Sequence, residues 1–204
     1  MDETRIVNKA ELRGTVSCSP QYSHESRGER FFQFPIEIER LSGAVDKINV
    51  IARQQLIDEL EISQSGKICV IGELRSFNNK SGQGSRLVIT VFARDIFFDD
   101  GDDLNLVMLR GTICKPPTLR TTPMGREICD IMLAVNRRYG RSDYLPCIAW
   151  GIKAKDAAEC SIGTAMSLTG RIQSRNYIKT IDDVPIEKTA FEVSIVELDI
   201  ADME

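Results

Sequence analysis

Four aromatic side chains in the second half of this 204-residue chain carry its clearest chemistry. Three of the four tyrosines and the only tryptophan lie there, at Tyr139, Tyr144, Tyr177 and Trp150. Tyr139 occurs in NRRYGR and Tyr177 in RIQSRNYIK, so basic side chains flank both. A π-face can stack on a nucleobase, at roughly 1–3 kcal/mol per base, while a neighbouring cation pairs with a phosphate. The pattern predicts a surface that binds single-stranded nucleic acid.

The distribution of charge supports such a surface, although the net charge of the chain is −4. Residues 105–155 carry nine basic side chains against three acidic ones. A local excess of this size attracts phosphate even on an acidic protein, while a merely solvated charged face is the alternative. The arginines that we expect to contact phosphates are Arg120, Arg126, Arg137, Arg138, Arg141, Arg171 and Arg175.

The segment that contains these residues is the second copy of an internal sequence repeat. The segment NKAELRGTV, which begins at Asn8, reappears as NLVMLRGTI at Asn105. Further along, the second copy has one extra residue, after which Gly72 aligns with Gly170. A repeat of about 100 residues is long enough to be a complete domain with its own core. We therefore predict an N-terminal domain at 1–98, a solvated acidic linker at 99–103 that cannot pack, and a C-terminal domain at 104–200.

Both copies show mainly strand patterns. The segments 86–93, 128–135 and 188–198 are rich in β-branched and apolar residues, and turn residues occupy 79–84 and 116–125. One helical pattern per copy lies at 54–62 and at 153–160. Each copy therefore has the order β-β-β-α-β-β. The predicted fold is all-β, with two tandem OB-fold five-stranded barrels, each with a short helix between strands 3 and 4.

Strand alternation separates the two copies. In strand 3 of the second copy, Leu145, Cys147 and Ala149 should face the core, which turns Tyr144, Pro146, Ile148 and Trp150 outward. The corresponding outward residues of the first copy are Lys47, Asn49, Ile51 and Arg53. The core pattern is kept and the aromatic pattern is lost. We expect the first copy to be a degenerate one with a pairing or auxiliary role.

Several other classes of protein are not expected. The N-terminus is charged from its second residue and no apolar run approaches a membrane span, which favours a cytoplasmic protein without membrane association. The six cysteines are scattered without a CxxC pair, so neither a metal nor another cofactor is expected. The single histidine, His24 in SHES, has no apparent nucleophile or metal partner, and this argues against an enzyme.

Three blocks of the second copy resemble the bacterial single-stranded DNA-binding protein family. They are LRGTICKPPTLRTTPMGREICDIMLAVNRRYG, YLPCIAWGIKAKDAAE and GTAMSLTGRIQSRNYI, in the family's order across residues 105–198. The resemblance implies a protein that coats single-stranded DNA in replication, recombination or repair. It also implies that the base-stacking positions correspond to Tyr139, Tyr144, Trp150 and Tyr177.

The resemblance carries expectations about partners as well. Family members with two OB domains per chain are dimers, so a homodimer presenting four OB folds is expected. Typical members recruit replication or repair proteins through an acidic tail. Such proteins are possible partners here as well, although this sequence ends at DIADME without the usual tail. The alternative is an OB-fold adaptor of the primosomal replication protein N type, which bridges proteins and binds DNA secondarily. The aromatic set favours the DNA-binding hypothesis.

Overall fold

The first copy forms six strands and one helix in the part of the chain that the structure describes. The structure is a computed structural model that describes residues 7–62, 65–79, 87–137, 140–181 and 184–201. The elements of the first copy are β1 Asn8–Val16, β2 Gln21–Ser26, β3 Glu29–Glu39, β4 Val45–Arg53, α1 Gln54–Leu60, β5 Lys67–Asn78 and β6 Leu87–Phe98.

The second copy repeats this order. Its elements are β7 Leu104–Ile113, β8 Thr118–Thr121, β9 Glu127–Asn136, β10 Ser142–Trp150, α2 Ile152–Ala158, β11 Ala165–Ile181 and β12 Val184–Ile200. Both predicted helices are present, each directly after the third strand of the predicted barrel.

The strand order in each copy is that of an OB barrel. In the first copy the order is β2-β3-β4-β6-β5-β1, and a further pairing of β3 with β1 closes the barrel. In the second copy it is β8-β9-β10-β12-β11-β7, closed by the pairing of β7 with β9. The pairs β4–β6 and β10–β12 are parallel. The antiparallel pairs are β1–β3, β1–β5, β2–β3, β3–β4, β7–β9, β7–β11, β8–β9, β9–β10 and β11–β12. The predicted all-β fold of two tandem OB barrels is confirmed.

Each copy contains one short strand that the five-strand prediction lacks. In the first copy this is β2, which pairs with β3 through a turn where Arg27 and Gly28 have φ angles of 53° and 76°. In the second copy it is β8, which lies inside the segment 116–125 that was predicted to be a turn. The side chains of both are mostly exposed. These strands bury no face of their own, so they lack the apolar alternation by which strands are predicted.

Two pairs of equivalent glycines allow the barrels to close. A Cβ at Gly14 would collide with the carbonyl oxygen of Glu37, and a Cβ at Gly111 would collide with that of Ala134. The pair Gly72 and Gly170 shows the same relation, because the carbonyls of Phe92 and Ser194 would block them. Only glycine permits such a close approach of two backbones. The duplication thus preserves the closure of the barrel as well as its strand order.

The predicted alternation of strand 3 is right for the core and wrong at one outward position. Leu145, Cys147 and Ala149 are buried as predicted. Ile148, which was expected to face outward, is only 3% exposed. It lies in register with Asp130 of β9 and Ser194 of β12, so strands on both sides flank it. An outward position is exposed only where neighbouring side chains leave it uncovered.

The acidic segment 99–103 is bound to the first copy, contrary to the expectation that it cannot pack. Asp99 accepts a hydrogen bond from Arg13 Nε at 2.7 Å, and Asp103 contacts Lys67 Nζ at 2.7 Å and the backbone N–H of Glu39 at 2.7 Å. Hydrogen bonds from Gly101 N–H and then from Arg13 lower the pKa of Asp99. The sequence prediction considered the composition of the segment alone and overlooked the cations that face it.

The compact units of the structure do not follow the repeat boundary. One unit contains the described residues of Met1–Asn8, Ser76–Val88 and Val107–Glu204, and the other contains those of Lys9–Arg75 and Ile89–Leu106. The ends of β5 and β6 nearest their hairpin therefore belong with the second copy. Neither α1 nor α2, the helices of the described residues, is long and apolar enough to cross a bilayer.

Candidate nucleic-acid interface

Two of the four predicted aromatics lie near opposite ends of β10. Tyr144 and Trp150 are six residues apart, so the alternation of the strand places them on the same face. Tyr144 is 51% exposed and lies opposite Ala134 of β9. A methyl group covers little of a tyrosine ring, so Tyr144 offers an open surface for stacking.

Trp150 is half-buried and held by a hydrogen bond. Its indole Nε1 donates to Ser194 Oγ of β12 at 3.2 Å. The residue is therefore neither a core tryptophan nor a freely exposed one. A hydrogen bond on the edge of the ring restricts its rotation while leaving stacking to the ring face, as is common for tryptophan at surfaces that are partly wet. Ser194 was not predicted, because nothing in its local sequence marks it.

Two predicted arginines lie on β11, which pairs with β12, the strand whose Ser194 bonds to Trp150. Arg171 is in register with Ser194, and its Nε is buried without a hydrogen-bond partner among the described residues. Arg175 is exposed, and its Nη2 is 4.0 Å from Glu192 Oε2, which is a loose contact. Gln173 donates to Glu192 Oε1 at 2.8 Å, so this oxygen of the carboxylate already has a hydrogen-bond partner. Arg175 therefore keeps donors that can contact a ligand, whereas the unpaired Nε of Arg171 is buried.

Two predicted arginines of the β8–β9 hairpin differ in their partners. Arg120 makes a bidentate ion pair with Asp130, with Nη2 3.0 Å from Oδ1, and this hydrogen bonding raises the pKa of the guanidinium. Arg126 is exposed, and no carboxylate pairs with it in the described part of the chain. Its backbone is fixed by Thr122, whose Oγ1 accepts from Arg126 N–H at 3.0 Å. Arg126 is thus the more available phosphate ligand.

Arg137 has a structural partner that was not predicted. Its Nε donates to Asp143 Oδ2 at 2.6 Å, its Nη2 also binds this carboxylate, and Nη2 donates to the carbonyl of Ser76 at 3.3 Å. Asp143 is fully buried, and it also accepts from Ser76 N–H at 2.6 Å. A buried carboxylate of this kind is costly without its cation. Arg137 therefore orients the start of β10, and its predicted DNA contact stays a prediction.

The remaining predicted residues are described in part or not at all. Arg141 is exposed and accepts a hydrogen bond from Arg137 N–H at its carbonyl, at 2.6 Å. The backbone of Tyr177 lies in β11 opposite Lys188, while its side chain lies outside the described set. Arg138 and Tyr139 also lie outside the described residues. Their roles remain predictions.

A cleft of about 680 Å³ lies next to Tyr144 and contains residues that the sequence did not single out. The ends of β5 and β6 contribute Ser76, Phe77 and Leu87 to it. Its lining also includes Lys115, Met132 and Tyr144. Because Phe77 belongs to the first copy by sequence, no local signal could have placed it beside a residue of the second.

The equivalent face of the first copy has a different chemistry. Lys47, the counterpart of Tyr144, pairs with Glu37 at 3.3 Å. Arg53, the counterpart of Trp150, pairs with Glu29 at 2.8 Å and lies 5.7 Å from the ring centroid of Phe92. Arg94 lies 5.1 Å from that centroid and 3.0 Å from Glu73. Carboxylates of the same copy therefore neutralise these cations.

Three of the six cysteines are buried in strands. No group of three or more potential metal ligands occurs in the described residues. Cys69, Cys129 and Cys147 are buried, and desolvation raises the pKa of each thiol. They behave as small apolar core residues, which agrees with their positions in strands.

Strand order, barrel closure and helix position define the chain as an OB-fold protein. Comparison with known proteins gives the family. The sequence profile of the Single-strand binding protein family matches residues 104–200. Single-stranded DNA-binding protein B of Bacillus subtilis is 38% identical over 80 residues, which cover 36% of this chain and 71% of that protein. The chain belongs to the Single-strand binding protein family.

Other relatives define the extent of the similarity. Single-stranded DNA-binding protein 2 of Listeria innocua is 37% identical over 81 residues, or 36% of this chain and 51% of that protein. The chain thus spans about half the length of some curated relatives that it matches. The wild-type single-stranded DNA-binding protein of Thermus aquaticus superposes with a TM-score of 0.78 over 98% of this chain and 96% of that one. At 22% identity, this similarity supports the tandem fold.

Proposed function

We propose that the protein binds single-stranded DNA through the face of its second copy and coats it during replication, recombination or repair. The observation that carries the proposal is that Tyr144 and Trp150 lie on the same face of β10. Arg171 of β11 lies in register with Ser194, the residue to which Trp150 bonds. Stacking needs bases that are not paired in a duplex, and aromatic platforms beside cations bind single strands with little preference for sequence. The names of the relatives in Bacillus and Listeria agree with this substrate.

The test uses the only tryptophan of the chain. Because Trp150 is half-buried and its ring edge is bound to Ser194, we expect intermediate emission in the free protein and strong quenching when oligo(dT) is added. Binding should weaken as salt is raised, since bound phosphates release counterions. A blunt duplex of equal length is the matched control and should bind much more weakly. Equal binding to both DNAs, or emission that no DNA alters, would refute the proposed face.

An adaptor function makes a different prediction in the same experiment. A protein that bridges partners and binds DNA secondarily would show weak affinity for oligo(dT) even at low salt. No feature of the described residues favours this alternative over the aromatic face.

We also propose a homodimer with four OB folds that acts in the cytoplasm. The proposal follows from the family, in which chains with two OB domains pair. Light scattering of the full chain should give twice the monomer mass of 22.9 kDa. A mass of one chain that does not change with concentration would contradict it. The limits 1–98, 99–103 and 104–200 remain proposed sequence domains, since the compact units divide the chain differently.

A further inference from the structure

The cleft beside Tyr144 is anchored to β10 by a specific set of hydrogen bonds. Ser76 N–H donates to the buried carboxylate of Asp143 at 2.6 Å, and Ser76 Oγ accepts from Tyr144 N–H at 2.7 Å. Arg137 binds the same carboxylate and the carbonyl of Ser76. Three hydrogen bonds, through its N–H, its Oγ and its carbonyl, therefore fix the residue that directly precedes Phe77. The position of Phe77 beside the start of β10 is a built feature of this unit.

Phe77 is an unusual residue for this position. It lies in a strand and is 48% exposed. A phenylalanine ring has no polar group that could hydrogen-bond to water, so its exposure is unfavourable unless a ligand covers it. In the second copy the equivalent residue is Arg175, and the predicted stacking residue Tyr177 corresponds to Asn79. Residues i and i+2 of a strand share a face. The aromatic residue of the first copy therefore lies on the same face of its strand as the position equivalent to Tyr177, but two residues further from the tip of the hairpin.

The chemistry of the cleft suits one kind of occupant. Phe77 and Tyr144 are both about half exposed and line the same space, together with the thioether of Met132. Lys115 is exposed at the cleft and has no carboxylate partner among the described residues. A volume of about 680 Å³ lies within the range of small-ligand sites, roughly 300–1,000 Å³. Aromatic rings with one cation match an unpaired nucleobase and its phosphate.

We propose that Phe77, a residue of the first copy, stacks on a nucleobase held in this cleft, with Lys115 contacting the adjacent phosphate. The inference rests on the proposed function and extends it. The first copy thereby completes the binding site of the second, although its own face lacks the aromatic set of the second copy. The path of the DNA is extended from Tyr144 toward the ends of β5 and β6.

The test compares two exposed phenylalanines in the full chain. Phe77→Ala should weaken binding to oligo(dT) by about fivefold or more, since one lost stack has roughly that effect. Phe98→Ala is the matched control, because Phe98 is 56% exposed on β6 and does not line the cleft. It should bind like the wild type. Circular dichroism melting of both variants verifies that they are folded.

A second variant reports directly from the cleft. In a Trp150→Phe background, Phe77→Trp provides a single fluorophore at this position, and oligo(dT) should quench it. Unchanged affinity in Phe77→Ala together with unquenched emission in the reporter would overturn the inference while wild-type binding left the proposed function intact. Failure of the wild type itself to bind oligo(dT) would instead refute the proposed function, and the cleft inference with it.

Discussion

The two barrels share a backbone plan and differ in the chemistry of one face. Where the first copy has Glu37 opposite Lys47, the second has Ala134 opposite Tyr144. Where the first copy has Glu73, the second has Arg171, and Glu29 corresponds to Arg126. The carboxylates that neutralise the first face are thus absent or reversed in sign on the second. A small number of side chains separates a self-neutralised surface from one that is open to phosphate.

Trp150 and Arg53 show that the difference involves pairs of residues. In the second copy the aromatic ring lies on strand 3 and bonds to a hydroxyl of the last strand, Ser194. In the first copy the cation lies on strand 3, and the ring, Phe92, lies on the last strand. Arg53 and Arg94 both lie over this ring, which limits its availability for a base. The comparison therefore predicts unequal contributions to DNA binding.

The largest effect should come from removing the aromatic pair. Tyr144→Ala combined with Trp150→Ala should weaken binding of the full chain to oligo(dT) by about a hundredfold or more, since two stacks are lost. The sister variant, Lys47→Ala with Arg53→Ala, should change the affinity by less than about threefold, because both cations are already paired. Fluorescence anisotropy of labelled oligo(dT) measures both. Comparable losses of affinity in the two double variants would show that both faces contribute to DNA binding.

A stability test probes the feature that the copies have in common. Gly111→Ala and Gly14→Ala each introduce a Cβ that meets the carbonyl of the facing strand. Each should lower the free energy of unfolding by about 1–3 kcal/mol, as expected for overpacking. Chemical denaturation monitored by circular dichroism measures the loss. A variant that is as stable as the wild type would indicate that this barrel closes differently from its sister.

The smallest effects should follow single charges at equivalent positions. Arg171→Gln should weaken DNA binding by roughly fivefold and reduce the dependence of affinity on salt by about one ion, if this side chain contacts a phosphate. Glu73→Gln should leave affinity unchanged or raise it slightly, because a carboxylate near Arg94 is removed. Titrations at several salt concentrations distinguish the two. A weaker complex for Glu73→Gln would mean that this carboxylate helps to position the DNA.

The sequence predicted the tandem fold because the repeat and the strand alternation are local signals. It also placed Tyr144 and Trp150 on one face, since parity within a strand depends only on neighbours. It missed the burial of Ile148, which depends on β9 and β12, and the ion pair that occupies Arg137. It missed Phe77 because the contact crosses the repeat boundary. Long-range packing and the pairing of charges leave no pattern in a short window.

The end of β5 has a consequence for how independent the two repeats are of each other. Ser76 and Phe77 are encoded in the first repeat, yet their structural partners, Asp143 and Tyr144, are encoded in the second. Deleting the first repeat would leave the buried Asp143 without the N–H donor of Ser76. Loss of the first repeat would therefore disturb the second. A copy whose own face has diverged therefore still supports its sister, through Ser76 and Phe77 at the end of β5.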